Sequence, residues 1–504
     1  MNRSPHLALL LLAVTALAAC HKEVTCPVGE VLCAGRCVDP ASDAANCGAC
    51  GVTCDARATC QRGACDCAPG LSTCGASCVD LASDPSHCGG CAIACFGAVC
   101  SAATGPAVCS ASCGGGETDC GGACVHLDRD RFHCGACGTA CASGESCLEG
   151  RCASVQVACF STNDVRTIAP DLATRGPVRP SGTGPIALAS LGAEAWAAAS
   201  LSGSLVRLPL DLSAPSAEFL LHGTDFEYVT AHAGRLLLSN AGAGTVVIAD
   251  PATGAVVAEI PVGRSAGENI KGIAFAQVNA VDTAFISLQG DAVSGNPALG
   301  QRIAVLDAAG LATCGLAGSP LPCLGVPTSL DVSGGGDAPG LAFPGRSVAL
   351  GGKVYVVLAN LRKGSYGYFT DPAGPGKLAV IDPAGPSVSY LSLGACGNPG
   401  GIAVHGLSMW VACAAFGGSG LVEVDLSGPV PVVGELHPVP VMAPGNVAFC
   451  GAHGYVTDQY SGDIYPFDAM SFASSPPAAT TVCPVSAGKG GYAWAADVIC
   501  APRP

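Results

Sequence analysis

Seven segments of the chain share one pattern, a short turn followed by alternating apolar and polar positions that usually closes on an aspartate. They are NDVRTIAP from Asn163, GSLVRLPLDL from Gly203, GTVVIADP from Gly244, QRIAVLD from Gln301, GKLAVIDP from Gly376, GLVEVDL from Gly420 and GDIYPFD from Gly462. A period of two bounded by Gly, Pro, Asn and Asp predicts half-buried β-strands. Two further apolar runs precede most copies, as GIAVHG and MWVACAA precede GLVEVDL, and another follows, as AVVAEIPVG follows GTVVIADP. Four strands recurring seven times predict an all-β fold, a seven-bladed β-propeller over 154–500. The first copy begins in mid-blade at VQVACFS, and the chain finishes on a lone inner-strand pattern, GGYAWAADVIC. One blade is therefore expected to be completed from both ends, which leaves no open sheet edge. Residues 501–504 form a tail.

Upstream of Ser154 the patterning is different. Residues 1–19 carry Arg3 and the 13-residue run LALLLLAVTALAA, the length of a signal-peptide core and too short for a membrane span. No later stretch reaches 18 uninterrupted apolar residues, although 49% of the chain is hydrophobic. Residues 20–25 form a short linker. Between Cys26 and Cys152 an eight-cysteine unit occurs three times (26–66, 67–112, 113–153), its first six cysteines spaced C-x6-C-x3-C-x9-C-x2-C-x3-C each time. The fold expected there is an array of small disulfide-rich repeats, because units with so few aliphatic residues cannot fold on burial alone.

Of 33 cysteines, 24 lie in the repeats and eight in the propeller, even numbers that read as a disulfide framework outside the cytoplasm. Matching blade positions favour Cys396–Cys413 within one blade and Cys159–Cys483 across the ring closure, leaving Cys450–Cys500 and a local Cys314–Cys323. Cys159–Cys500 is the alternative. A zinc reading of the pairs Cys47/Cys50, Cys88/Cys91 and Cys134/Cys137, with His87 and His133 adjacent, is weaker. A site needs only four ligands, and the first repeat has Asn46 where the others have histidine. Gly48, Gly89 and Gly135 read as turn formers, and Asp39, Asp43, Asp80, Asp84 and Asp130 as backbone caps.

Three resemblances extend this reading. Leu17-Ala18-Ala19-Cys20 resembles the lipobox of bacterial lipoproteins. That implies cleavage before Cys20, its lipidation, and, with His21 rather than aspartate following, an outer-membrane or cell-surface location. The repeats, of the form CVDxxxDxxNCGxCGxxC, resemble units of large secreted bacterial proteins, which carry no known catalytic role. The segments beyond Ser154, YVTD at 455–458 before GDIYPFD above all, resemble the YVTN or YncE-like family of seven-bladed propellers. That fold hosts lactonases, quinone dehydrogenases and binding scaffolds alike.

A formal charge of −15 with only 23 Lys plus Arg argues against a nucleic-acid partner and against charge-driven membrane adhesion. A membrane contact would run through the lipid. Ahead of the inner strands the sequence places Gly184, Glu227, Lys271, Arg346, Gly400, Gly445 and Gly490, with Asp225, Glu268, Asn269, Asn398, Asn446 and Lys489 nearby. Lys271, Arg346 and Lys489 suit an anionic ligand better than a divalent cation, so no metal or cofactor is called for. Asp250, Asp307, Asp382, Asp425 and Asp468 end strands and read as turn caps. No HExxH, GxSxG, Walker or dinucleotide fingerprint is present, and no catalytic residue is assigned.

One face is expected to be elaborated, by long loops at 289–299 and 361–375 and by a loop at 316–344 that enters the next blade with its Cys314–Cys323 clip. The second of these, LRKGSYGYFTDP, offers Arg362, Lys363, Tyr366, Tyr368 and Phe369 as contact residues. The function expected is a non-enzymatic binding or scaffold module of the cell envelope, contacting a protein, peptide or glycan. The alternatives are a hydrolase or lactonase using the funnel, and a structural protein acting through the repeats.

Overall fold

The computed structural model describes residues 26–502 except 28, 56, 68–70, 76, 103–105, 115, 143–144, 171, 173–174, 211–215, 222–224, 264–267, 291–298, 318, 320, 339–340, 366–368, 386, 415–418, 470–471, 473–477 and 485–492. The expected lipidation site Cys20 lies outside them, as do Tyr366, Tyr368, Lys489 and Gly490. The chain divides into two compact units at His126/Leu127. The second takes in the latter half of the third repeat, and the strand Arg151–Cys159 runs unbroken from that repeat into the propeller.

The second unit is a seven-bladed β-propeller. Each blade has four antiparallel strands, in chain order in blades 1 to 6, and in blade 7 the short strand Ser146–Leu148 adds a fifth to the sheet. The inner strands of blades 1 to 6 are Pro185–Leu191, Phe226–His232, Ile270–Val278, Pro344–Leu350, Pro399–His405 and Pro444–Cys450. Blade 7 takes its inner strand, Ala495–Pro502, from the C-terminal end. Its other three, Arg151–Cys159, Asp164–Ile168 and Arg175–Pro180, come from the N-terminal side. The seven patterned segments are the third strands, as the sequence predicts.

Seven apolar clusters hold the ring together, one between each pair of neighbouring blades. The cluster joining blades 1 and 2 centres on Trp196, Leu205, Phe226, Leu236 and Leu238. The one closing the ring joins Ala158, Val165 and Ala496 to Leu188, Ala197 and Val206. A sheet packed on both faces needs apolar residues at successive positions, not alternate ones. The second strands meet that demand, with Ala195 to Ala199 and Arg235 to Asn240 buried throughout. The bridges Cys159–Cys483, Cys450–Cys500, Cys396–Cys413 and Cys314–Cys323 reinforce this frame.

The repeats are built on a different principle. Cysteines one and three, two and five, four and seven, and six and eight are joined in the first two repeats. In the third, Cys113–Cys124, Cys134–Cys147 and Cys141–Cys152 follow the same scheme, and Cys120 and Cys137 are also bonded. Gly48, Gly89 and Gly135 sit at φ 77°, 73° and 75°, where a Cβ would fall 2.5 Å from the carbonyl oxygen of Gly63, Ala107 and Gly150 respectively. No other residue fits there. Asp39, Asp43, Asp80, Asp84 and Asp130 each accept a hydrogen bond from the backbone N–H two residues on, at 2.8–2.9 Å. Asn46 and His133 take the N–H five residues on, from Gly51 at 2.9 Å and Gly138 at 3.1 Å. That shared acceptor role explains why asparagine and histidine exchange at this position. The cysteine triads that come close enough to hold an ion, such as Cys47, Cys54 and Cys65, are all disulfide-bonded and offer no thiolate.

Candidate functional site

Every inner strand carries a register shift against its neighbour within its first few residues, as between Phe226 and Val229, Pro344 and Ser347, or Pro444 and Val447. A bulge re-aims side chains, and here it does so at one height around the whole ring. Two consecutive layers of residues result. The outer layer is Ile186, Glu227, Lys271, Gly345, Gly400, Gly445 and Ala496. The next layer inward is Ala187, Tyr228, Gly272, Arg346, Gly401, Asn446 and Asp497. Gly184 and Arg346 therefore do not share the level of Lys271, as an ungapped sequence reading suggests. The counterparts of Lys271 in blades 1, 4 and 7 are Ile186, Gly345 and Ala496. The bulge is a property of strand pairing and leaves no composition signal.

The outer layer, except Ala496, lines a cavity of about 250 Å³ at the funnel mouth, with Gln289, Asn398 and Gln459 adding amides and Phe343, Ala359 and Leu361 an apolar wall. Lys271 is ion-paired with Glu227. One layer deeper, Arg346 crosses from blade 4 to blade 7, its Nη2 3.4 Å from Oδ1 of Asp497. The guanidinium lies 5.5 Å above the Tyr228 ring of blade 2. Asp497 is 1% exposed and accepts N–H bonds from Leu188 at 2.8 Å and Val498 at 2.9 Å. Burial pushes its carboxyl above the usual carboxylate range, although Arg346 and the two N–H groups oppose the shift. Burial likewise raises the Tyr228 phenol, against the pull of Arg346.

Asp497 is the site residue that sequence reasoning misses. It lies in AWAADVIC, and superposing the seven inner strands with their bulge would place it opposite Arg346. The other acids near the mouth are engaged one by one. Glu268 is buried and holds Arg302 at 2.5 and 3.2 Å together with the Gly300 N–H at 2.8 Å. Asp225 accepts from the Ser200 hydroxyl at 3.2 Å. Among the described residues, no three carboxylate or histidine groups approach closely enough to share an ion. The strand-end aspartates Asp250, Asp307, Asp382 and Asp425 accept the N–H two residues on, at 2.8–3.0 Å.

Loops between second and third strands, and loops entering inner strands, open on the same face as the funnel mouth. On blade 4 the former is built into a hairpin of Leu361–Lys363 and Phe369–Pro372. Leu361 also lines the cavity, so hairpin and funnel are contiguous. Leu341 and Leu361 exchange two backbone hydrogen bonds, at 2.7 and 3.0 Å. Asn360, fully buried at φ 52°, donates to Asp337 at 2.7 Å and to the Pro375 carbonyl at 2.8 Å, and accepts the Asp337 N–H at 2.8 Å. Lys377 adds a 2.8 Å bond to Asp337. Arg362 and Lys363 stand exposed on this braced base. The side chain of Phe369 lies outside the described part of the structure.

The Cys314–Cys323 clip is not on that face. The strand Thr328–Asp331 follows it as the fourth strand of blade 3, so the clip belongs to the connection between third and fourth strands at the opposite end of the ring. There Arg235 donates twice to the Cys314 carbonyl, at 3.1 and 2.7 Å. The short strand has burial alternating weakly between exposed and half-buried, so it gives little sequence signal.

The family model of the stigma-specific STIG1-like proteins matches residues 13–68 and 98–155. No curated protein matches the chain. Among solved structures, the chain is similar to a putative 6-phosphogluconolactonase from Bacteroides uniformis, at 11% identity and a TM-score of 0.48, over 69% of this chain and 99% of that one. It is similar to a protein from Lactobacillus plantarum, at 11% identity and a TM-score of 0.47, over the same 69% and 99%. It is also similar to virginiamycin B lyase from Staphylococcus aureus, at 12% identity and a TM-score of 0.41, over 59% and 84%. All 32 cysteines among the described residues are disulfide-bonded, the state of a protein matured outside a reducing cytoplasm.

Proposed function

We propose that this protein is an exported, lipid-anchored binding module that engages a protein, peptide or glycan through the funnel face of its propeller, with the repeats linking propeller to membrane. The observation that carries the reading is the braced rim of blade 4. Asn360, Asp337 and Lys377 fix a hairpin that projects Arg362 and Lys363 into solvent beside the cavity. Recognition residues on a rigid base bind with less ordering cost than residues on a free loop. A hydrolase reading needs acids that converge, and the acids described here are each held by a separate partner.

The test is affinity capture from envelope and secreted fractions, with the repeat-plus-propeller chain lacking residues 1–20. The expected outcome is one dominant partner, depleted when Arg362 and Lys363 are both replaced by alanine and retained when exposed Leu316 on the opposite face is replaced. Equal recovery by all three proteins would remove this face from consideration. Replacing Cys20 by alanine should move the full-length protein from the membrane to the soluble fraction of its host.

A further inference from the structure

We infer that the funnel cavity is a binding site for a single carboxylate group carried on a small polar moiety, with Arg346 as its anchor. This deepens the reading of the funnel face as the binding face, and it rests on different residues from the hairpin.

The two cations of the cavity are not equivalent. Lys271 is tied to Glu227 in the same layer, so its charge is met at close range. Among the described residues Arg346 has one charged partner, Asp497, at 3.4 Å. That distance exceeds a charge-assisted hydrogen bond of about 2.7–2.9 Å. Among the described residues the guanidinium has no second polar partner. Its face is occupied by Tyr228, which orients the plane without using its N–H donors. The side chain keeps 16% exposure at the floor of the cavity. A planar fork with donors to spare is matched by a carboxylate, which takes two parallel N–H bonds.

Asp497 competes for the same donors from below. It is already committed to two backbone N–H groups, so it meets only part of the donor capacity of Arg346. A second orphan lies nearby, since Oδ1 of Asn446 is buried without a partner. On the cavity wall itself, the amides of Gln289, Asn398 and Gln459 suit hydroxyl or amide groups on the body of the ligand. The cavity volume of about 250 Å³ fits one sugar ring or one to two amino-acid residues.

The carboxylate could belong to a uronic acid or to a peptide C-terminus, and paired probes separate the two. Calorimetric titration of the repeat-plus-propeller chain would use glucuronate against glucose, and N-acetylglycine against N-acetylglycinamide. One carboxylate of the four probes should bind, with its neutral partner silent, and the pair that responds names the source. Arg346→Gln should weaken binding at least about tenfold, and Arg346→Lys, which keeps charge without the fork, should fall between. Asp497→Asn should tighten binding severalfold by releasing the donors. Arg362→Ala with Lys363→Ala should leave it unchanged, so that failure of partner capture and failure of this site are read separately. Silence of both carboxylates up to about 20 mM would overturn the proposal, as would unchanged affinity in Arg346→Gln or unimproved affinity in Asp497→Asn.

Discussion

At the scale of single residues, the most consequential polar group outside the funnel is Asn360. Sequence shows only an asparagine ahead of a basic pair; the structure shows it buried, left-handed, and bonded to both segments that frame the hairpin. Asn360→Ala removes three hydrogen bonds and places alanine at positive φ, which should cost about 2–4 kcal/mol in denaturant unfolding of the propeller. Its partner Asp337 supplies a pH signature. Hydrogen bonds from Lys377 first and Asn360 second hold the Asp337 carboxyl below its usual range, against a smaller desolvation effect. A depressed folded-state pKa contributes stability above the unfolded value, and that contribution is lost as pH falls through the folded one. The melting temperature of Asp337→Asn should therefore lie below wild type at pH 7, and the two should converge below about pH 4. A gap that persists into acid would assign the effect to packing instead. Such residues are illegible in sequence because their importance lies in what two distant loops bring to them, whereas the aspartate caps at Asp307 or Asp382 act within two residues and are legible at once.

At the scale of elements, third strands and the split seventh blade could be read directly, because turn chemistry and a period of two mark them locally. The outer strands of blades 3 and 6 could not, although that of blade 2, in AVVAEIPVG, could. Thr328–Asp331 and Thr480–Thr481 face solvent over most of their length and have no apolar alternation, so from sequence Thr328–Asp331 reads as part of a loop and the Cys314–Cys323 clip falls on the wrong face. The bulge that sets the funnel's two layers is equally silent. The bridges make a quantitative contrast between elements. Cys159–Cys483 spans 324 residues and fastens the ring where the termini meet, while Cys396–Cys413 spans 17 within one blade. In the chain-entropy model these separations correspond to about 6 and about 3 kcal/mol of destabilised unfolded chain. The double replacement Cys159→Ala with Cys483→Ala should lower the urea midpoint of the propeller by roughly twice as much as Cys396→Ala with Cys413→Ala. Equal shifts would mean that the seam between blades 6 and 7 is held by the Val155, Val157, Ile464 and Val498 cluster and owes little to the long bridge.

At the scale of the whole molecule, the two units draw on different sources of stability, and this predicts how the chain comes apart. The propeller closes a circle of seven apolar interfaces, each with aromatic or branched aliphatic side chains fully buried, such as Trp196, Trp410, Phe285 and Ile248. The described residues of the unit ending at His126 include almost none. Among its described residues the buried apolar ones are Val79, Val125 and cysteines, and within the first repeat the cluster of buried residues is Cys47, Cys54 and Cys60. Sulfur there is both the core and the cross-link, so reduction removes the constraint on the unfolded chain and leaves little burial to replace it. With increasing dithiothreitol at neutral pH and no denaturant, residues 26–126 should become susceptible to protease at concentrations that leave the propeller intact. Intact-mass analysis should then show a resistant fragment beginning beyond His126. Loss of both units at one reductant concentration would instead show that the propeller depends on its own bridges as the repeats do, and that seven apolar interfaces without Cys159–Cys483 and Cys450–Cys500 are insufficient to keep the ring closed.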